Sequence, residues 1–110
     1  MIQKKFRLKR PEIEFLLRKG KELATDLFIV RFATSTEQIA RFTVIASSRL
    51  SKKAVDRNRI KRQIYEAIRI NMVDSATNTV IIPKKRALKS TYKEIESNIK
   101  QIISWIKKES

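Results

Sequence analysis

The chain has no cysteine and no histidine. Their absence removes disulfides, thiol nucleophiles, the usual zinc-binding sets and the default general base at neutral pH. Acidic residues are scarce, 11 against 26 Lys and Arg. They mostly lie singly among cations, in no pattern that suggests a magnesium site or an acid/base pair. The expectation is therefore no catalytic residue and no metal-ligating residue in the protein. Long apolar runs are also missing, with none approaching the ~18 residues of a membrane-spanning helix. The start, MIQKKFRLKRPEIEF, has cations but no apolar stretch behind them and no small-residue cleavage site, so it does not read as a secretory signal. A cytoplasmic protein that does not engage a membrane is expected.

What is present is positive charge on a foldable chain. At 110 residues the length suits one core, and residues 1–110 are read as a single domain. A hydrophobic fraction of 42% argues against wholesale disorder, while the formal net charge is +15. A pI near 10.6 points first to nucleic acid, and then to an anionic membrane surface or an acidic protein.

Periodicity supplies the elements. RPEIEFLLRKGK places Pro11 at a helix start, Glu12 and Glu14 in the first turn, Arg18 and Lys19 in the last, and Gly20 beyond. A helix over 11–19 follows, with Ile13, Leu16 and Leu17 inward and Phe15 off that stripe. LFIVRFA (27–33) and IARFTVIAS (39–47) read as strands, joined across TSTEQ as an antiparallel hairpin. Alternation sets Phe28, Val30 and Phe32 on one face against Ile29 and Arg31 on the other. Residues 53–71 repeat Ile60, Ile64, Ala67 and Ile68 at helical spacing, with Asn58, Arg62, Tyr65 and Arg69 on an opposite, exposed stripe. TVIIP (79–83) reads as a buried strand and KKRALKS as a basic loop. From Thr91 on, Tyr92, Ile95, Ile99, Ile102, Ile103 and Ile106 make the most regular helical stripe, with Trp105 at its edge. Residues 1–10 read as a disordered basic arm that orders on RNA. The expected fold is α+β: three helices on a small, mostly antiparallel sheet, in the order αβ(β)βαβα.

The densest feature is DRNRIKRQIYEAIR, residues 56–69. Arg57, Arg59, Lys61, Arg62 and Arg69 meet only Asp56 and Glu66 as opposite charges, so self-repulsion opposes this helix unless a polyanion neutralises it. Guanidinium forks suit phosphate oxygens, Lys61 adds a less directional charge, and Asn58 a neutral donor and acceptor. A merely solvated basic face is the competing reading.

The wider stretch SRLSKKAVDRNRIKRQIYEAIR resembles the signature of the bacterial ribonuclease P protein subunit, in which Arg-Asn-Arg, a variable residue and Lys-Arg lie on a long helix. The register of the other elements matches too, so the resemblance covers nearly the whole chain. It implies a fold like domain 2 of ribosomal protein S5 (ribosomal-protein-S5-domain-2-like) and a role beside a catalytic RNA that removes the 5′ leader of precursor tRNA. The implied RNA-binding residues are Arg49, Lys52, Lys53, Arg57, Asn58, Arg59, Lys61, Arg62 and Arg69. Ile13, Leu17, Ile29, Arg31 and Tyr65 are implied for a leader cleft between the long helix and the sheet, edged by the first helix. Mg2+ would be held mainly by the RNA subunit. The partners would be that RNA and precursor tRNA, with no obligatory protein partner. Three departures stand out. Lys52 replaces a usual loop glycine, Ile13 and Leu17 replace two aromatics, with Phe15 as a candidate substitute, and Tyr65 replaces a common arginine as a possible stacking platform.

Two other classes share the charge and size: a ribosomal-type RNA-binding module, and a helix-turn-helix DNA binder with 56–69 as recognition helix. The second would need a helix shortly before residue 56, where the sequence reads as strand.

Overall fold

The computed structural model describes residues 8–34, 40–71 and 77–109. The elements are α1 (Arg10–Lys19), β1 (Lys21–Ala24), β2 (Phe28–Thr34), β3 (Arg41–Val44), α2 (Ala54–Asn71), β4 (Thr77–Pro83), a short 3-10 helix (Lys85–Lys89) and α3 (Tyr92–Glu109). The strands form one sheet in the order β1-β2-β4-β3. β1 with β2 and β2 with β4 are antiparallel, and β3 with β4 is parallel. The α+β class with three helices is therefore correct. The expected hairpin between 27–33 and 39–47 is not. β4 lies between those two strands, and the TSTEQ connector falls outside the described residues. The true hairpin partner of β2 is the short KELA strand. Thr25 closes that turn, its N–H donating to the Phe28 carbonyl at 2.8 Å and its hydroxyl accepting the Phe28 N–H at 3.1 Å. β4 takes the centre because side chains on both of its faces are buried: Thr79 and Ile81 on one, Val80 on the other.

The sheet separates two cores. Phe28, Val30, Phe32, Phe42, Val44 and Ile81 face α2 and α3, whose Ile60, Ile64, Ile68, Ile95, Ile99, Ile102 and Ile106 complete the larger one. All seven isoleucines are at most 2% exposed, and each such side chain contributes about 1.5–3 kcal/mol by leaving water. α3 starts where Thr91 and Glu94 cap each other, the Glu94 N–H donating to the Thr91 hydroxyl and the Thr91 N–H to the Glu94 carboxylate. Asn98, buried in the same helix, accepts the Leu27 N–H at 3.1 Å and so ties α3 to the β1–β2 turn. The smaller core lies on the other face, where Leu8 and Leu16 cover Val80, with Ile13, Ala33, Ile45 and Ile82 packed around them.

Three local expectations change. Leu8 is buried, its N–H donating to the Thr43 hydroxyl at 3.1 Å, and α1 begins at Arg10. Residues 8–10 thus belong to the fold and not to a basic arm, whose first seven residues lie outside the described ones. Gly20 ends α1 with ordinary extended dihedrals. It must be glycine because an added Cβ would stand 2.6 Å from the Leu16 carbonyl oxygen. KKRALKS is no simple loop: it forms the 3-10 turn, with the Lys84 ammonium on the Thr25 carbonyl at 2.7 Å and Arg86 paired to Asp26 at 2.7 Å.

Candidate nucleic-acid interface

The segment leading into α2 is organised by Ser51. Its hydroxyl accepts the Lys53 N–H at 3.2 Å and donates to Asp56 at 3.0 Å, while its carbonyl accepts from the Arg57 guanidinium at 2.8 Å. No described non-glycine residue has a positive φ, so Lys52 needs none of the freedom of a glycine there. Arg49, Lys52 and Lys53 are exposed along this turn, directly before the first cations of α2.

On α2 the motif residues separate by direction. Asn58 and Arg62 are exposed on the outer face, and Arg57 and Lys61 are half-buried. Arg59 turns to the other flank, donating to the Leu88 carbonyl at 2.8 Å and to Gln63 at 3.4 Å. It therefore braces the 3-10 turn as well as carrying charge. Arg69 is exposed and pairs with Glu66 one turn earlier, and that hydrogen bond holds the Glu66 carboxyl below its ordinary range. Tyr65 departs from the expected exposed stripe. It is only 4% exposed, and its hydroxyl accepts the Val44 N–H at 3.1 Å. A ring so enclosed is no stacking platform. Tyr65 is enclosed because the edge of β3 closes over that margin of the helix, a long-range contact that helical periodicity does not report.

The proposed cleft also changes shape. α2 packs on the Phe28/Val30/Phe32 face, so it does not face Ile29 and Arg31. α1 covers that second face instead. Nor does α3 cover Ile29, since its isoleucines all enter the larger core. α1 crosses from β3, where Glu12 lies 3.7 Å from Arg41, to β2, where Arg31 donates to the Gly20 carbonyl at 3.2 Å. Leu17, 40% exposed, and the half-buried Ile13 flank the helix on the side opposite Phe15. Phe15 is therefore no substitute for either. It lines a separate groove with Ala33, Thr34 and Asn78, at the other end of the strands.

Strand register then reveals what the sequence missed. Ala24 pairs with Ile29 and Ile29 with Ile82, and Ile45 follows alongside, its N–H on the Ile81 carbonyl at 2.9 Å. Ile29, Ile82 and Ile45 are all partly buried, each keeping some of its surface open. They form an apolar row on the Leu17 side of α1, with Arg31, its side chain 29% exposed and 3.7 Å from Glu22, one pair further along. Ile45 and Ile82 carry no sequence signal for this role, because the parallel β3–β4 pairing that aligns them joins segments separated by a helix. Arg49 is four residues beyond Ile45, within at most about 14 Å of chain. The apolar row thus runs toward the cations of the α2 approach.

Among the described residues no three potential metal-ligating side chains converge. No described helix is long and apolar enough to cross a membrane.

Comparison with known proteins agrees with this architecture. The family model described as Ribonuclease P matches residues 2–107. The ribonuclease P protein component of Bacillus cereus is 32% identical over 102 residues, covering 89% of this chain and 88% of that protein. That of Clostridium kluyveri is 29% identical over 99 residues, covering 86% and 88%. Among solved structures, a Staphylococcus aureus RNase P protein mutant with defective mRNA degradation activity aligns with a TM-score of 0.85 at 25% identity, over 94% of this chain and 90% of that one. The Thermotoga maritima RNase P protein aligns at 0.80 and 22% identity, over 88% and 94%, a likeness of fold.

Proposed function

Because the chain belongs to the ribonuclease P protein family, we propose that it binds the catalytic RNA of ribonuclease P through the approach to α2 and its outer face, and the single-stranded 5′ leader of precursor tRNA along the isoleucine row. As a ribonuclease P protein component it is a part of the machinery of tRNA processing. The observation that carries the finer reading is an apolar row, Ile29, Ile82 and Ile45, whose last strand leads within a few residues of chain into the cationic approach of Arg49, Lys52 and Lys53. A flexible single strand needs both, charge for its phosphates and flat apolar surface for its bases.

In this reading the RNA performs the hydrolysis, and magnesium belongs to the RNA, where phosphates supply its oxygen ligands. The protein's own carboxylates support that division of labour. Glu12 is paired with Arg41, Asp56 with the Ser51 hydroxyl and Glu66 with Arg69, so each already serves the fold. Asn58 and Arg62 present their polar ends outward to phosphate, and Arg57 and Arg59 hold the helix start and the 3-10 turn in register with them. The helix-turn-helix alternative loses its premise, since the element before α2 is β3.

Reconstitution tests the proposal. Purified protein added to bacterial ribonuclease P RNA at low magnesium should raise cleavage of a 5′-extended precursor tRNA, and protein alone should cut nothing. No stimulation, together with stoichiometric association with ribosomal RNA, would favour a ribosomal-type role instead.

A further inference from the structure

The second face of the sheet has two ends, and the leader reading uses only one. Phe15 and Leu17 stand about 160° apart around α1, and Leu16 between them is buried against the sheet. Phe15, 49% exposed, therefore looks onto the opposite end from Leu17. There it lines a groove of about 250 Å³ with Pro11, Ala33, Thr34 and Asn78. Ala33 and Thr34 also line an adjoining cavity of about 200 Å³, whose other walls include Lys19 and Lys21. Lys19 is one helical turn beyond Phe15, on the same flank of α1.

Three observations give this groove a chemical character. Its aromatic ring is half-exposed, although a buried position was available at Leu16 next to it. The Asn78 amide oxygen is buried and has no donor among the described residues, a deficit that a ligand N–H would relieve. The acid in its wall, Glu12, already accepts the Lys9 N–H at 2.8 Å and pairs with Arg41, while Lys19 is exposed.

We propose that this groove binds one unpaired nucleotide of RNA, separately from the leader row on the other flank of α1. The base stacks on Phe15 and donates to Asn78 Oδ1 through an exocyclic amine, a group that adenine, cytosine and guanine carry and uracil lacks. Its phosphate lies toward Lys19 and Lys21. A bare anion would use the lysines but leave Phe15 and Asn78 idle.

The test titrates the full-length protein at low salt with a short oligoadenylate and an oligouridylate, following affinity by fluorescence anisotropy and backbone amides by NMR. The amides of Thr34 and Asn78 should move, and oligoadenylate should bind more tightly than oligouridylate. Phe15→Ala should weaken oligoadenylate binding roughly tenfold and remove the preference. Lys19→Glu, at an exposed site that does not threaten folding, should weaken both oligonucleotides. The proposal is overturned if only Ile29 and Ile45 respond while Thr34 and Asn78 stay still, or if Phe15→Ala binds oligoadenylate like wild type. Equal affinity for the two oligonucleotides that tracks Lys19 alone would mean phosphate binding without a base site, and also overturns it. Leader-dependent binding of precursor tRNA that persists in that event would leave the ribonuclease P reading standing.

Discussion

The Val44 N–H donates to the Tyr65 hydroxyl at 3.1 Å, and this bond fastens α2 to the open edge of the sheet. β3 is an edge strand. Its Ile45 N–H points inward to β4, so the alternate Val44 N–H points outward, where an unpaired donor would invite aggregation or water. Tyr65→Phe should therefore cost about 1–3 kcal/mol of stability, read as a lower urea midpoint with an unchanged slope. RNA affinity of the folded variant should stay within a few-fold of wild type. A large loss of affinity at unchanged stability would return Tyr65 to the RNA surface.

Arg59 and Arg62 share one motif but should behave differently. Arg62→Ala removes an exposed cation, so it should flatten the dependence of RNA affinity on salt by about one unit on the logarithmic plot and leave the unfolding midpoint in place. Arg59→Ala also abandons the Leu88 carbonyl and should lower stability by about 1 kcal/mol. Salt slopes and denaturation curves measured on both variants separate charge from bracing. Identical stability in the two would show that the Arg59 contact contributes nothing.

Gly20→Ala should destabilise the protein by about 1–3 kcal/mol through overpacking, because its Cβ would meet the Leu16 carbonyl oxygen at 2.6 Å. The backbone there is extended, so the cost is one of space and not of dihedral strain. Thermal unfolding of this variant should show a clear drop in Tm. Unchanged stability would mean that the end of α1 shifts without cost.

The three helices were legible because each carries a long 3.6-residue repeat, and the motif on α2 was legible because its cations crowd one element. Strand pairing was not. β2 and β3 are neighbours in sequence, but the more fully buried β4 displaces one from the other, and nothing local in TSTEQ reports that. The same blindness hid Ile45 and Ile82, which share a row only through that long-range register. Tyr65 was set outside by a wheel that treats a helix as half core and half solvent, and the Arg59 contact with the Leu88 carbonyl leaves no local trace in the sequence. In the folded protein a sheet edge and a 3-10 turn press on its two margins. Phe15 was anomalous in the sequence for a sound reason, since it stands off the buried stripe in the structure as well.

The most direct test of the leader reading is the affinity of the reconstituted ribonucleoprotein for precursor tRNA as the 5′ leader grows from one to several nucleotides. Affinity should rise over the first few nucleotides and then level off. Arg31→Ala should erase much of that rise while sparing mature tRNA, because Arg31 borders the apolar row and is held there by the Gly20 carbonyl and Glu22. Affinity indifferent to leader length, or an Arg31→Ala variant that weakens precursor and mature tRNA equally, would contradict the assignment of the leader to this face.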